Sequence, residues 1–242
     1  MLYLLPNLLT DLATHSDFLP RSVDAAVAQL TCLIAEHEKQ GRHFLRRFSF
    51  PPPKTFRDIP IHTLNVHSTL NDKKELVRAI KQGGVWGLVS DCGMPCLADP
   101  GADLVLMAKE MGIAVETFAG PSSILFALVL SGLGGQHFTF HGYLPQEEAP
   151  LIQQLQQIEK RSQREGSTHL FIETPYRNLK LLQRLLSSLE EKTWLCVACD
   201  LSTPTQLVQT RQIKDWRRQA APEIDKRPAV FVVKANHYNA SG

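Results

Sequence analysis

The sequence predicts an α/β protein made of two α/β domains, each a parallel or mixed sheet flanked by helices. Three observations predict it. Short apolar runs of strand length alternate with amphipathic helical patterns, the rhythm of strands covered by packed helices. Glycine and proline fall where helices should stop and loops should turn. The 242 residues, 43% hydrophobic and 21% charged, suit one large domain or two compact ones and exclude wholesale disorder. No tract is low in complexity and no repeat of fixed period occurs, which excludes solenoids and propellers.

Taken in order, residues 2–5 read as a strand stopped by Pro6, and 30–35 as a second strand. A basic amphipathic helix follows over 38–48. Residues 76–82 are helical, with Leu76, Val77 and Ile80 on one face, Asn71 or Asp72 as cap and Gly83 as stop. A buried strand at 85–89 leads through a loop rich in glycine and proline to a helix at 102–111 closed by Gly112. Residues 113–118 form the next strand, and a helix opens after Gly120-Pro121. The rhythm breaks at Gly132-Leu133-Gly134-Gly135. Beyond it come a strand at 138–140, a polar helix at 147–165 ending at Gly166, and a strand at 168–173. A leucine-rich helix at 177–189 precedes strands at 194–199, 207–210 and 229–234, with 213–219 helical. The expected organisation is an N-terminal α/β domain over 1–135, a C-terminal one over 136–236, and a disordered tail at 237–242.

Composition removes several function classes. The longest mostly apolar stretch, 124–133, is half of the ~20 residues a membrane span needs, so no membrane partner is expected. The opening MLYLLPNLLTD has no basic lead and no small-residue cleavage pattern, unlike a signal peptide. Lys and Arg number 26 against 24 acids, and a net charge of +2 does not by itself argue for nucleic acid. Five cysteines, an odd count in a chain able to build its own core, suit a reduced, cytoplasmic protein.

Two loops stand out at the ends of predicted strands, where open α/β sheets bind ligands. Ser90 to Gly101 holds two glycines and two prolines in twelve residues, a rigid path able to turn backbone groups toward a ligand or simply a long connector. Gly120-Pro121-Ser122-Ser123 opens a helix. Its serines could be plain N-caps, or the free N–H groups there could take a carboxylate or phosphate.

Four segments in order, VSDCGMPCLADPGADLV, AGPSSILFALVLSGL, FHGYLP and FIETPYRN, resemble the tetrapyrrole methylase superfamily of S-adenosylmethionine-dependent methyltransferases. The likeness runs from residue 2 to about 234 and is strongest to the branch containing ribosomal RNA small-subunit 2′-O-methyltransferases, including a shorter bacterial subgroup. The resemblance implies a cofactor cleft between two α/β domains and a homodimer. By motif, Pro6, Cys92, Gly93, Met94 and Leu97 would lie along the methionine and ribose part of S-adenosylmethionine, with Ser122 and Ser123. Glu173, Thr174, Leu201, Ser202, Pro228 and Ala229 would frame the adenine. Two departures stand against this pattern. The family's glycine-bearing first loop is replaced by Leu4-Leu5-Pro6-Asn7-Leu8-Leu9, with no glycine before Gly41. Where the branch shows an acidic-Asp-Thr-Arg run, this chain has Glu36-His37-Glu38-Lys39, on the side that faces substrate in the family.

Methyl transfer is an in-line displacement that needs alignment and exclusion of water, and a ribose hydroxyl benefits from a base. The candidates are Asp91, Asp99, Glu173, His141 and Tyr143, with no single base assigned. Asp99 could instead cap the helix after Pro100-Gly101, and His141 could be a hinge residue satisfied by backbone. Arg42, His43, Arg46, Arg47, Lys54 and Arg57 interleave with Phe44, Phe48, Phe50 and Phe56. Such a segment either holds phosphates and stacks on bases or is a solvated helix face with phenylalanines in the core. Arg211, Lys214, Arg217 and Arg218 read as an outer helix face. Cys196 and Cys199 share C-x-x-C spacing but point to opposite faces of a strand, so no metal site is expected. The leading expectation is an S-adenosylmethionine-dependent methyltransferase acting on ribosomal RNA. The alternatives are a small-molecule methyltransferase of tetrapyrrole type and a non-catalytic RNA-binding or regulatory protein that retains the fold.

Overall fold

The computed structural model describes residues 1–236, and the tail expected at 237–242 lies outside the described residues. By its internal contacts the chain divides into two units, Met1–Ser122 and Ser123–Gly242. Each is an α/β layer structure with its own five-stranded sheet.

The first unit runs β1 (Leu2–Leu4), α1 (His15–Phe18), α2 (Arg21–Ala28), β2 (Cys32–Ala35), α3 (Glu38–Leu45), β3 (Ile61–Thr63), α4 (Leu70–Gln82), β4 (Trp86–Val89), α5 (Ala102–Glu110) and β5 (Val115–Thr117). Its sheet has the order β3-β2-β4-β1-β5, and every pair is parallel. Strand alternation builds two cores, one on each face. Leu2, Cys32, Ile34, Trp86 and Leu88 pack with Leu76, Val77 and Ile80 of α4 and Leu104 and Ala108 of α5. Tyr3, Leu5, Leu33, Ala35 and Val89 pack with Val23, Ala26 and Val27 of α2 and Phe44 and Leu45 of α3. The chain therefore leaves β4 toward one face, while it leaves the neighbouring β1 and β2 toward the other. That divergence makes the carboxyl end of β4 the switch point where an open sheet forms its crevice.

Several local expectations shift. Helix α4 begins at Leu70, and its cap is Thr69, whose hydroxyl takes the Asp72 N–H while the Asp72 carboxylate takes the Thr69 N–H. Asp72 is thus the partner of the cap and not the cap itself. The α5 cap is Gly101, with no side-chain bond, which removes Asp99 from that role. Helix α3 stops at Leu45 instead of residue 48. Three elements escaped the pattern altogether: the one-turn α1, which buries no residue, α2 and β3. Helix α2 buries only Val23, Ala26 and Val27, and β3 is a three-residue edge strand with two exposed positions.

The second unit runs α6 (Ser123–Ser131), β6 (Phe138–Tyr143), α7 (Glu148–Glu165), β7 (Thr168–Ile172), a 3-10 turn (Pro175–Arg177), α8 (Asn178–Ser188), β8 (Trp194–Cys199), β9 (Leu207–Gln212), α9 (Ile213–Trp216) and β10 (Ala229–Lys234). The order β6-β7-β10-β8-β9 is mixed: β6 and β7 are parallel and the other pairs antiparallel. Helices α7 and α8 cover a core of Leu155, Phe171, Leu185, Val197, Phe231 and Val233. Helix α6 lies against β8, β9 and β10 and so groups with this unit. Cys199 joins the covered core and Cys196 does not, as alternation requires. Among the described residues no helix is long and apolar enough to cross a membrane.

Candidate functional site

In the first unit the loop after β4 is held against the loop after β1. The Asn7 N–H donates to the Gly93 carbonyl at 2.8 Å, forming an isolated bridge. Gly93 has φ +70°, and Cys96 and Ala98 also sit at φ 67° and 70°, a conformation that costs an L side chain energy. Gly120 approaches Pro6 so closely that an added Cβ would stand 2.0 Å from the proline Cβ, and the Met94 sulfur would lie at 3.5 Å. Pro6, Gly93, Met94, Gly120 and the buried Ser122 are thus gathered at the carboxyl ends of β1, β4 and β5. Cys92 and Leu97 are exposed in the same loop. Ser123 begins α6 and belongs to the second unit.

Three acids converge beside this loop. The Asp91 N–H donates to Glu36 Oε1 at 3.2 Å, and His37 Nδ1 lies 3.0 Å from Asp91 Oδ2. Burial pushes the Asp99 acid up to about 6, and the nearby charges of Glu36 and Asp91 add to the shift against a Ser90 hydrogen bond. Burial also raises Glu36. Desolvation, helped by Asp99, Asp91 and Glu36, lifts the Cys92 thiol to about 11, so Cys92 is no thiolate at neutral pH. Among the described residues no group of three or more His, Cys, Asp or Glu could hold a metal ion.

In the second unit Glu173 and Thr174 follow β7, Leu201 and Ser202 follow β8, and Pro228 and Ala229 open the antiparallel β10. Register therefore brings all six to one end of the sheet. The Asp200 N–H donates to the Pro228 carbonyl at 3.0 Å, and Arg227 Nε donates to Asp200 Oδ2 at 2.8 Å. Asp200 and Ser202 have φ of 49° and 68°, again an irregular backbone at strand ends. Glu173 is engaged: its Oε1 accepts from the Thr174 N–H at 2.6 Å and from Arg177 Nη2 at 2.6 Å. Asn178, fully buried, donates to the Arg227 carbonyl at 2.6 Å, and its Oδ1 has no partner among the described residues.

His141 is neither a hinge satisfied by backbone nor a free base. Its Nε2 lies 2.9 Å from His169 Nδ1, and His169 Nε2 lies 2.9 Å from the Ser167 hydroxyl. Burial lowers His141, and burial with the His141 neighbour lowers His169 to about 4. Tyr143 is exposed at the end of β6.

The basic stretch is largely structural. Phe44 and Phe48 are buried, and Phe50 and Phe56 pack on the same core, which overturns their reading as a stacking surface. Arg42 Nη1 donates to the carbonyls of Phe56 and Ile59, and Lys54 Nζ to that of Leu30. Arg47 bonds Asn7 and Asp11, and His43 also lies on Asp11. Arg46 and Arg57 remain exposed. The late basic group is partly braced, with Arg217 donating to the carbonyls of Leu186 and Leu189 and Arg211 over the Trp216 ring. Sequence reasoning missed Asn178, and it placed Asn7 only in the altered first loop and Arg47 only in the basic stretch, without the bonds that join them. A polar residue straight after the first strand was the one available signal.

The family of Tetrapyrrole (Corrin/Porphyrin) Methylases matches residues 22–216, most of the chain. The chain belongs to the tetrapyrrole methylases. Membership makes it an S-adenosylmethionine-dependent methyltransferase, as the four ordered motifs imply. Among curated proteins it is similar to the ribosomal RNA small subunit methyltransferase I of Vibrio cholerae, 26% identical over 242 residues, covering 100% of this chain and 79% of the relative. The protein of that name in Haemophilus influenzae is 26% identical over 227 residues, covering 93% and 76%. Among solved structures, the methyltransferase CobJ shares the fold with a TM-score of 0.61 at 17% identity, covering 95% of this chain and 93% of its own.

Proposed function

We propose that this tetrapyrrole methylase transfers a methyl group to a ribose 2′-hydroxyl of ribosomal RNA. The observation that carries the reading is the extent of the likeness to the Vibrio cholerae ribosomal RNA methyltransferase, which takes in the whole chain. The residues present suit the cofactor. Glu36, Asp91 and Asp99 give the strand ends of the first unit a negative field that favours a cation. The orphaned Asn178 Oδ1, beside Arg227 and Pro228, is an acceptor that a purine amino group would satisfy.

When bound, S-adenosylmethionine supplies an electrophilic methyl group on a sulfonium cation. Pro6, Cys92, Gly93, Met94, Leu97, Ser122 and Ser123 would hold its methionine and ribose part. Glu173, Thr174, Leu201, Ser202, Pro228 and Ala229 would hold its adenine. A hydroxyl is a weak nucleophile, and the half-buried Asp99 carboxylate, in the loop after β4 and raised by burial to about 6, would take its proton. Arg46, just past the end of α3, and Arg57, over the Phe56 ring, are exposed cations open to phosphates. On this reading the protein works as a homodimer in the cytoplasm, where ribosomal RNA is found.

Tritium transfer from S-adenosylmethionine to small-subunit RNA of a deletion strain tests the reading. A 2′-O-methyl group blocks alkaline cleavage of the adjoining phosphodiester, so the label should run in an alkali-resistant dinucleotide. Label in alkali-released mononucleotides would move the methyl group to a base. Protein that binds S-adenosylhomocysteine yet labels no RNA would contradict the RNA reading.

A further inference from the structure

Asn7 lies in the first loop, which holds no glycine, and every polar atom of its side chain is used. It is 5% exposed. Its Nδ2 donates to the Ser90 carbonyl at 3.0 Å and the Asp91 carbonyl at 2.8 Å, while its backbone N–H donates to the Gly93 carbonyl. Its Oδ1 accepts from the Leu8 N–H at 2.9 Å and from Arg47 Nη1 at 2.6 Å. The other arm of Arg47 reaches Asp11 Oδ1 at 2.6 Å, which His43 also approaches at 3.0 Å.

These bonds orient a loop. A trans peptide sets its N–H opposite its C=O, so turning the carbonyls of residues 90, 91 and 93 toward Asn7 turns the next N–H groups away from it. The first of these, on Asp91, meets Glu36. The other two belong to Cys92 and Met94, and among the described residues no hydrogen bond uses either. We infer that Asn7, braced by Arg47, is a positioning residue that presents the N–H groups of Cys92 and Met94 to acceptor atoms of the cofactor. Asn7 thereby clamps the loop after β4 from a first loop that holds no glycine. The inference rests on the Ser90–Gly101 segment being the cofactor loop.

Titration calorimetry with S-adenosylhomocysteine on the full chain tests it. Asn7→Ala should weaken binding about tenfold or more, the loss of two oriented hydrogen bonds. Asn7→Asp keeps the acceptor for Leu8 and Arg47, and so the brace, but has no donor for the two carbonyls. It should lose affinity as Asn7→Ala does, and it carries the test if Asn7→Ala does not fold. Arg47→Met should fall between. Thr69→Ala, which breaks the distant α4 cap, should lower the melting temperature and leave affinity unchanged. The inference is overturned if Asn7→Asp binds as tightly as wild type, or if Thr69→Ala loses as much affinity as the Asn7 variants. Wild-type protein that is folded but binds no S-adenosylhomocysteine removes the cofactor-loop reading itself.

Discussion

Burial, with the charges of Glu36 and Asp91, disfavours the ionised form of Asp99. Its acid is raised from 3.8 to about 6, so the folded chain holds a proton there that the unfolded chain releases. The stability it contributes is complete below 3.8 and is lost as pH rises through about 6. Asp99→Asn should therefore raise the melting temperature at pH 7–8, while methyl transfer falls by roughly 10²-fold or more, the scale of a general base. Wild-type methyl transfer should rise with pH through about 6 as the carboxylate forms, and the Asn variant should lack that limb. A flat wild-type profile over that range would remove Asp99 from the chemistry. Gly120 makes a second residue-scale test. Its Cβ position is occupied by the Pro6 ring, which cannot rotate away, so Gly120→Ala should cost about 1–3 kcal/mol by chemical denaturation and weaken cofactor binding. An alanine variant matching wild type in both would show that this approach is not needed.

At the scale of elements, β6 and β7 are joined by more than their ladder. The His141–His169–Ser167 chain ties their side chains, and His169 is held near 4 against 6.5 when exposed. A depressed histidine contributes stability above its unfolded pKa and loses it as pH falls through the folded one. The protein should thus lose stability between pH 6.5 and 4, by at most about 3 kcal/mol from this site. His169→Phe should flatten that dependence in denaturant titrations, and an unchanged slope would argue against the buried neutral pair. Elements with strong patterns were legible from sequence: β8 and β10 fall at residues 194–199 and 229–234, as the apolar runs predict. Helix α2 and strand β3 were not. The first buries only one short stripe, and the second, at a sheet edge, needs little apolar surface. The unusual loop at 90–101 showed itself by composition. The partners that shape it did not, because Asn7 and Glu36 reach it from 84 and 55 residues away in the chain.

For the whole molecule, two sheets of different topology carry the chemistry-bearing loops at one end each. In the parallel sheet the loops gather where β4 diverges from its neighbours, and in the mixed sheet they gather where β7 and β8 end and β10 begins. Both ends hold non-glycine residues in left-handed conformation, Cys96 and Ala98 in one and Asp200 and Ser202 in the other, each a local backbone cost. On the proposed reading both ends hold the cofactor, with Asn7 clamping the loop of the first. The most direct test of the central claim is a methylation map of small-subunit ribosomal RNA from cells with and without this protein. The account predicts one ribose that loses its 2′-O-methyl group in the deletion and regains it on expression of wild type but not of Asp99→Asn. Identical maps, with purified protein inert on RNA from the deletion strain, would contradict it.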